Sequence, residues 1–215
     1  MDKHSIKALI NKTHPIIFEI GAFDGSDTKG FLEVFGDNMT IYCFEPDEKT
    51  ANFFRYGGAP RITRPDFTGP LDNKNVILEQ KAISNVNEFV EFNISIVAPQ
   101  CNSLKVPNYK HPKDSFIKKN VECITLDKYT SDNNIELIDF IWADVQGAED
   151  LMILGGENTF KNKVRYLFTE YAKNEDYVYY DNSPNAELIL KLLGDNWTIL
   201  HSFDTDLLLK NKNFE

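Results

Sequence analysis

The chain is short of several things that would each direct it to a different class of protein. It has three cysteines, Cys43, Cys101 and Cys123, and no C-x-x-C pair. That number gives neither a disulfide framework nor a thiolate metal cluster, and reduced thiols in a cytoplasmic protein are expected. No apolar run approaches the ~20 residues that span a bilayer, so no stable membrane insertion is expected. Residues 1–15 lack the apolar core of a signal peptide. A formal net charge of −10 offers no general attraction to nucleic acid or to anionic lipid. Low-complexity linkers and internal repeats are missing as well. What remains, 215 residues at 42% hydrophobic, fits one domain over 1–215 with a full core.

Strand-like and helix-like segments alternate along this length. The pattern predicts a short helix over 3–12, a strand over 16–20, a helix over about 26–35 opened by Ser26 and Asp27, and a strand over 41–45. A helix over about 47–56 is broken by Gly57-Gly58-Ala59-Pro60, and a strand follows at 76–80. Residues 89–97 and 121–126 alternate apolar and polar positions around an irregular, Lys- and Pro-rich excursion at 99–120. The unbroken apolar strand 138–143 ends at Asp144, a helix is read over 146–154, and the strand 164–169 ends at Glu170. An amphipathic helix at 186–193 leads to a hairpin around Asp204-Thr205-Asp206. This order predicts an α/β fold: a doubly wound, mostly parallel seven-stranded sheet with helices on both faces and a C-terminal antiparallel hairpin. A β-rich or irregular insertion is expected at about 86–126.

The most informative stretch is IIFEIGAFDG at 16–25, followed by CFEPD at 43–47. An apolar strand enters a Gly-containing turn, and the next strand ends in a carboxylate, Glu45. In an open α/β sheet that layout holds a nucleoside-bearing cofactor, with the second acid accepting hydrogen bonds from ribose hydroxyls. The dinucleotide pattern G-x-G-x-x-G is absent; Gly21 and Gly25 stand G-x-x-x-G apart. Asp24 sits where a pyrophosphate would have to approach, and an anion there opposes a diphosphate but favours an ammonium group. S-adenosylmethionine carries two cationic groups and no phosphate, so the acidic turn favours it over NAD. The candidate cofactor residues here are Glu19, Gly21, Ala22, Phe23, Asp24, Gly25, Glu45 and Pro46. A plain β-turn closing a buried strand is the alternative for Asp24 and Gly25.

The segment DFIWADVQGAEDLMILGG at 139–156 resembles the signature of the FkbM-type methyltransferases. FEIGAFDG, FEPD, Lys81-Ala82-Ile83-Ser84, Asn102-Ser103-Leu104, Thr125-Leu126-Asp127 and the strand ending at Glu170 match in family order, over about residues 16–172. Gln146 departs from the family's usual Glu, and Trp142 from a frequent Lys. The resemblance implies the class I methyltransferase fold and an S-adenosylmethionine-dependent activity, most often on oxygen of a sugar, glycolipid or secondary metabolite. Carried over by position, Gly21, Ala22 and Phe23 would face the methionine part with Asp24 nearby, and Glu45 would bind the ribose diol. Ala82 and Ile83 would border adenine, and Asp144 would sit near the methyl group.

Methyl transfer needs an aligned acceptor and a group to take its proton. Asp144 is the preferred base; capping the following helix is its other reading. Glu149 either faces the pocket or is a solvated helix residue. Asp144 and Glu170, at adjacent strand tips, also raise the possibility of Mg²⁺, as in catechol-type methyltransferases, though two carboxylates are thin ligation and the metal is not favoured. His111, in the basic excursion at 105–119, is a minor alternative base. The run DYVYYD at 176–181 suits either a sugar acceptor or a packing contact. Other readings are a non-catalytic S-adenosylmethionine-binding protein and an NAD-dependent reductase built on Tyr109 and Lys113. Pro112 between that pair opposes the helix the reductase needs. Nucleic-acid methylation lacks its Asn/Asp-Pro-Pro-Tyr motif. A small-molecule or glycan acceptor is the expected partner.

Overall fold

The computed structural model describes residues 1–57, 73–108 and 116–214. Its centre is β1 (Ile16–Ile20), buried along nearly its whole length. Ile17 packs into one apolar layer, while Phe18 and Ile20 pack into another on the opposite face. A strand covered on both faces is what a parallel sheet with helices on either side requires. On the Ile17 face lie α1 (Lys3–Ile10), α2 (Ser26–Phe35) and α3 (Glu48–Tyr56), through Ile6, Phe31, Phe35 and Phe54. On the Phe18 face lie α4 (Leu126–Asp132), α5 (Glu149–Leu154), α6 (Glu157–Asn162) and α7 (Ala186–Leu193), through Leu126, Met152, Phe160 and Ile189.

The sheet has seven strands. Besides β1 they are β2 (Thr40–Phe44), β3 (Val76–Glu79), β7 (Ile138–Ala143), β8 (Val164–Glu170), β9 (Trp197–Ser202) and β10 (Asp206–Asn211). Their order is β3-β2-β1-β7-β8-β10-β9. Pairing is parallel up to β8, and β10 is antiparallel to both β8 and β9. The chain therefore winds outward from β1 to β3 and returns on the other side at β7. That reversal opens a crevice at the carboxyl ends of β1 and β7, where ligands of such sheets bind. The doubly wound sheet with its C-terminal hairpin is the expected one. A second sheet, in the order β4 (Ala82–Ile83), β6 (Phe116–Ile124) and β5 (Phe89–Ser95), accounts for the alternation at 89–97 and 121–126.

The structure departs from the sequence pattern in the segment after β7. The helix expected from residue 146 starts at Glu149, because Gln146 and Gly147 take left-handed backbone angles of φ 53° and 89°. Helices α4 and α6 were not expected from periodicity. Each is too short to show it, and their ends are tied by side chains. Thr125 accepts the Lys128 N–H, and the Asp127 carboxylate accepts the N–H groups of Asn158 and Thr159. One helix thus caps the next. Gly58, Ala59 and Pro60 lie outside the described residues.

Candidate active site

The turn after β1 is folded onto β2 by backbone bonds: Gly21 N and Ala22 N both donate to Phe44 O at 3.0 Å. Gly21 has φ +87°, and a Cβ there would lie 1.9 Å from the Asp144 carbonyl oxygen. Only a residue without a side chain lets the tips of β1 and β7 touch this closely. Glu45, just past β2, closes the turn from the side. Its Oε2 accepts from Phe23 N at 3.0 Å and its Oε1 from Asp47 N at 2.9 Å. Burial, aided by the Asp47 and Asp24 carboxylates, pushes Glu45 up to about 8, while the two N–H donors pull the other way. Asp24 is buried and accepts from the Ser26 N–H and hydroxyl.

These groups line a cleft of about 240 Å³. They come from four places in the fold: Gly21, Ala22, Phe23 and Asp24 from the turn after β1, Glu45 and Pro46 from the tip of β2, Ala82 and Ile83 from the segment after β3, and Asp144 from the tip of β7. Two expected cofactor residues stand elsewhere. Glu19 does not line the cleft: it lies on the Ile17 face of β1, where its carboxylate accepts the Thr28 hydroxyl beside Cys43. Burial, with the Asp27 carboxylate adding, pushes it up to about 8, so it holds a proton at neutral pH. Gly25 also lies outside the cleft, at the N-terminal cap of α2.

On the β7 side the carboxylates gather. Asp144 Oδ1 accepts from Gln146 Nε2 at 2.6 Å. Burial, then the Asp206 and Asp27 carboxylates, raise Asp144, and the Gln146 amide lowers it. Glu170 does not line the cleft but lies against Asp144. Burial and the carboxylates of Asp144, Glu149 and Asp206 push it up to about 9. Glu149 is buried rather than solvated, is pushed up to about 8 by burial, and accepts from Gly147 N at 3.4 Å. Asp144 does not cap α5, whose N-terminus has no side-chain cap. Among the described residues no group of three or more His, Cys, Asp or Glu is set to hold a metal ion. His111 lies outside the described residues.

The sequence gives little notice of how Gln146 is used. Its amide is gripped at both ends, by Asp144 and by the Tyr180 hydroxyl, 3.1 Å from Gln146 Oε1. The same hydroxyl lies 2.8 Å from Cys101 O, and Ser103 Oγ donates to Gln146 O at 2.7 Å. Asn108 N donates to Tyr179 O and Asp181 N to Val106 O, so the DYVYYD loop is laced to the strap 99–108. That strap adds Pro99, Gln100, Asn102 and Leu104 to the cleft wall. Its Asn102-Ser103-Leu104 run was the one signal for these residues. Trp142 lies away from the cleft, stacked on Phe168 at 4.4 Å with Lys3 Nζ 3.0 Å over its ring.

Comparison with known proteins agrees with this frame. The methyltransferase FkbM domain matches residues 19–197. The chain is 31% identical over 214 residues to 2-O-methyltransferase NoeI of Sinorhizobium fredii (strain NBRC 101917 / NGR234), covering 96% of this chain and 83% of that protein. An rRNA methylase from Streptococcus thermophilus is similar at TM-score 0.47 and 13% identity, covering 97% of this chain and 94% of that one. Fibrillarin of Aeropyrum pernix, solved with natively bound S-adenosyl-L-methionine, is similar at TM-score 0.44 and 14% identity, covering 97% and 73%. No helix among the described residues is long and apolar enough to cross a membrane. The chain belongs to the FkbM methyltransferase family.

Proposed function

We propose that this methyltransferase uses S-adenosylmethionine to methylate a hydroxyl of a sugar or another small polyol-like acceptor, with Asp144 as the base. The observation that carries the reading is one cleft with Glu45 at one strand tip and Asp144 at another, joined by the Gly21 turn. The residues fit the cofactor's chemistry. Asp24 and Glu45 offer carboxylates to a ligand that carries a sulfonium and an ammonium group against a single carboxylate. Gly21 leaves the backbone bare at the approach. S-adenosylmethionine, when bound, supplies an activated methyl on a sulfonium. Glu45 would accept the ribose hydroxyls on its remaining lone pairs.

The chain's own work is then alignment and proton removal. Asp144 would take the proton of the acceptor hydroxyl and so free that oxygen for the methyl group that bound S-adenosylmethionine would supply. Gln146 holds the Asp144 carboxylate through its side-chain amide, and the Glu170 carboxyl acts on it electrostatically. Tyr180 and the strap 99–108 wall the acceptor side from water. The relative named a 2-O-methyltransferase supports oxygen as the target atom. The buried thiols of Cys43 and Cys123 support a cytoplasmic setting. Titration of the purified protein with S-adenosylmethionine in a calorimeter tests the donor half, and no heat of binding would sink it. Methyl label moving to a polyol or sugar panel tests the other half; transfer to nucleic acid alone would replace the acceptor.

A further inference from the structure

Tyr180 is buried and does not line the cleft, yet its hydroxyl ends one step from Asp144. The hydroxyl has one proton to give and two oxygens within reach, Cys101 O at 2.8 Å and Gln146 Oε1 at 3.1 Å. Cys101 O alone would satisfy a hydroxyl whose only work is to tie its loop to the strap. The Gln146 contact is additional. It continues through the amide, whose Nε2 donates to Asp144 Oδ1 at 2.6 Å. Hydroxyl, amide and carboxylate thus form one chain of hydrogen bonds, with each donor directed toward Asp144.

The backbone of Gln146 is held for this contact. Its φ of 53° is a left-handed conformation that costs any residue but glycine free energy, and it persists where the surroundings impose it. Ser103 Oγ donates to Gln146 O at 2.7 Å, and Tyr180 Cβ lies 3.0 Å from where a Gly147 Cβ would stand. The groups that bear on the Asp144 carboxyl are Glu170 of β8, Glu149 of α5, Asp206 of β10 and Asp27 of α2, all of them acids. What favours its ionised form is Gln146. A hydrogen bond to a charged acceptor strengthens when the donating amide is itself polarised by a donor at its carbonyl. The Tyr180 hydroxyl is placed to be that donor.

We infer that Tyr180 is a positioning residue for the proton transfer: its hydroxyl holds and polarises the Gln146 amide, and through that amide steadies the ionised Asp144. This rests on the reading of Asp144 as the base. Tyr180 is no rival for that part, because burial foremost raises its hydroxyl and it keeps its proton. The hydroxyl arrives on the loop 176–181, which is laced to the strap 99–108 on the acceptor side. The strength of the base would then be set in part by the acceptor loop and not by the sheet alone.

The test follows the Asp144 carboxyl by NMR in ligand-free protein labelled at its aspartate carboxyl carbons, the signal being identified by its loss in Asp144→Asn. Tyr180→Phe removes the hydroxyl and keeps the ring packed on Gly147. It should raise the Asp144 titration midpoint by about 0.5–1 pH unit. Gln146→Ala removes the donor itself and should raise it by about 1–2 units. In the Gln146→Ala background Tyr180→Phe should add nothing, the mark of an effect carried by the amide. A ring-fluorinated tyrosine at position 180, a stronger donor, should move the midpoint the other way. Ser103→Ala loosens the same segment without touching the amide, and should lower Tm while leaving the midpoint in place. An unmoved midpoint in Tyr180→Phe overturns the inference. Full additivity in the double variant, or an equal shift in Ser103→Ala, overturns it too, since Tyr180 would then act by another route or only by holding the loop. Asp144→Asn with unchanged turnover would instead bring down the base reading itself, a failure that the midpoints cannot mimic.

Discussion

At the scale of single residues, three side chains decide what the cleft can do. Glu45 gives each carboxylate oxygen to a backbone N–H, of Phe23 and of Asp47. Glu45→Gln would turn one of those oxygens into an NH₂ facing an N–H donor. The turn would lose a bond and any ribose would lose a charged acceptor, so cofactor affinity should fall by about tenfold to a hundredfold, or ~1.4–2.7 kcal/mol. Isothermal calorimetry reads this directly, and an unchanged Kd removes Glu45 from the site. Asp144→Asn should cut turnover by about 10²–10⁴ while leaving the cofactor Kd within a few-fold, the signature of a lost proton acceptor. Gln146→Glu would place a second carboxylate 2.6 Å from Asp144. The two would share a proton, which raises the pH at which Asp144 becomes free to act. The acid limb of the pH–rate profile should move to higher pH with the plateau kept. A profile that drops uniformly at all pH values would mean that Gln146 acts in some other way.

At the scale of elements, the site is a meeting of strand tips. Gly21 is where β1 and β7 come into contact, and Gly21→Ala would set a Cβ 1.9 Å from the Asp144 carbonyl on a backbone of φ +87°. Both the clash and the left-handed conformation oppose it, so a loss of about 3 kcal/mol or more is expected, roughly 6–12 °C in Tm. A thermal melt checks this, and an unshifted Tm would show that the tips can part without cost. This part of the fold was legible in the sequence, because three of the parallel strands, β2, β7 and β8, are apolar runs that stop at an acid: Glu45, Asp144 and Glu170. What was less legible depends on contacts distant along the chain. Glu19 sits in the same motif as Gly21, yet strand alternation turns it with Ile17 toward Thr28 of α2 and away from the cleft. Period two in β1 carried that information, but motif spacing alone did not. Gln146 and Gly147 were read into a helix because the run continues smoothly into α5. The packing of Tyr180 and Ser183 against Gly147, 3.0 and 2.6 Å from where its Cβ would be, leaves room only for a turn. Gln100 and Asn102 reach the cleft on a strap whose residues have no period to read.

At the scale of the whole molecule, burial of acids is the dominant electrostatic fact. Glu19, Glu45 and Glu149 are each pushed up to about 8 and Glu170 to about 9, from an ordinary value of 4.5, in every case by burial first. In the unfolded chain these groups ionise near 4.5; in the folded chain they hold their protons until about pH 8–9. Between those limits the native state binds more protons, so stability is full below about pH 4.5, as far as these four groups go, and falls as the pH rises. A net difference of a single proton among the four groups, maintained over two pH units, is worth roughly 3 kcal/mol. The ligand-free protein should therefore melt roughly 5–10 °C lower at pH 8.5 than at pH 6.5. Glu19→Gln, which keeps a partner for the Thr28 hydroxyl, should flatten that slope. A cationic ligand in the cleft reverses the balance for Glu45, because positive charge favours the ionised carboxylate. Binding of S-adenosylmethionine near pH 7 should then release protons, whereas the uncharged thioether of S-adenosylhomocysteine should release fewer. Calorimetry in buffers of different ionisation enthalpy measures the number released. Equal release by the two ligands, or none by either, would show that the cleft carboxylates do not feel the sulfonium. The acidic turn would then have to owe its charge to the fold and not to the ligand.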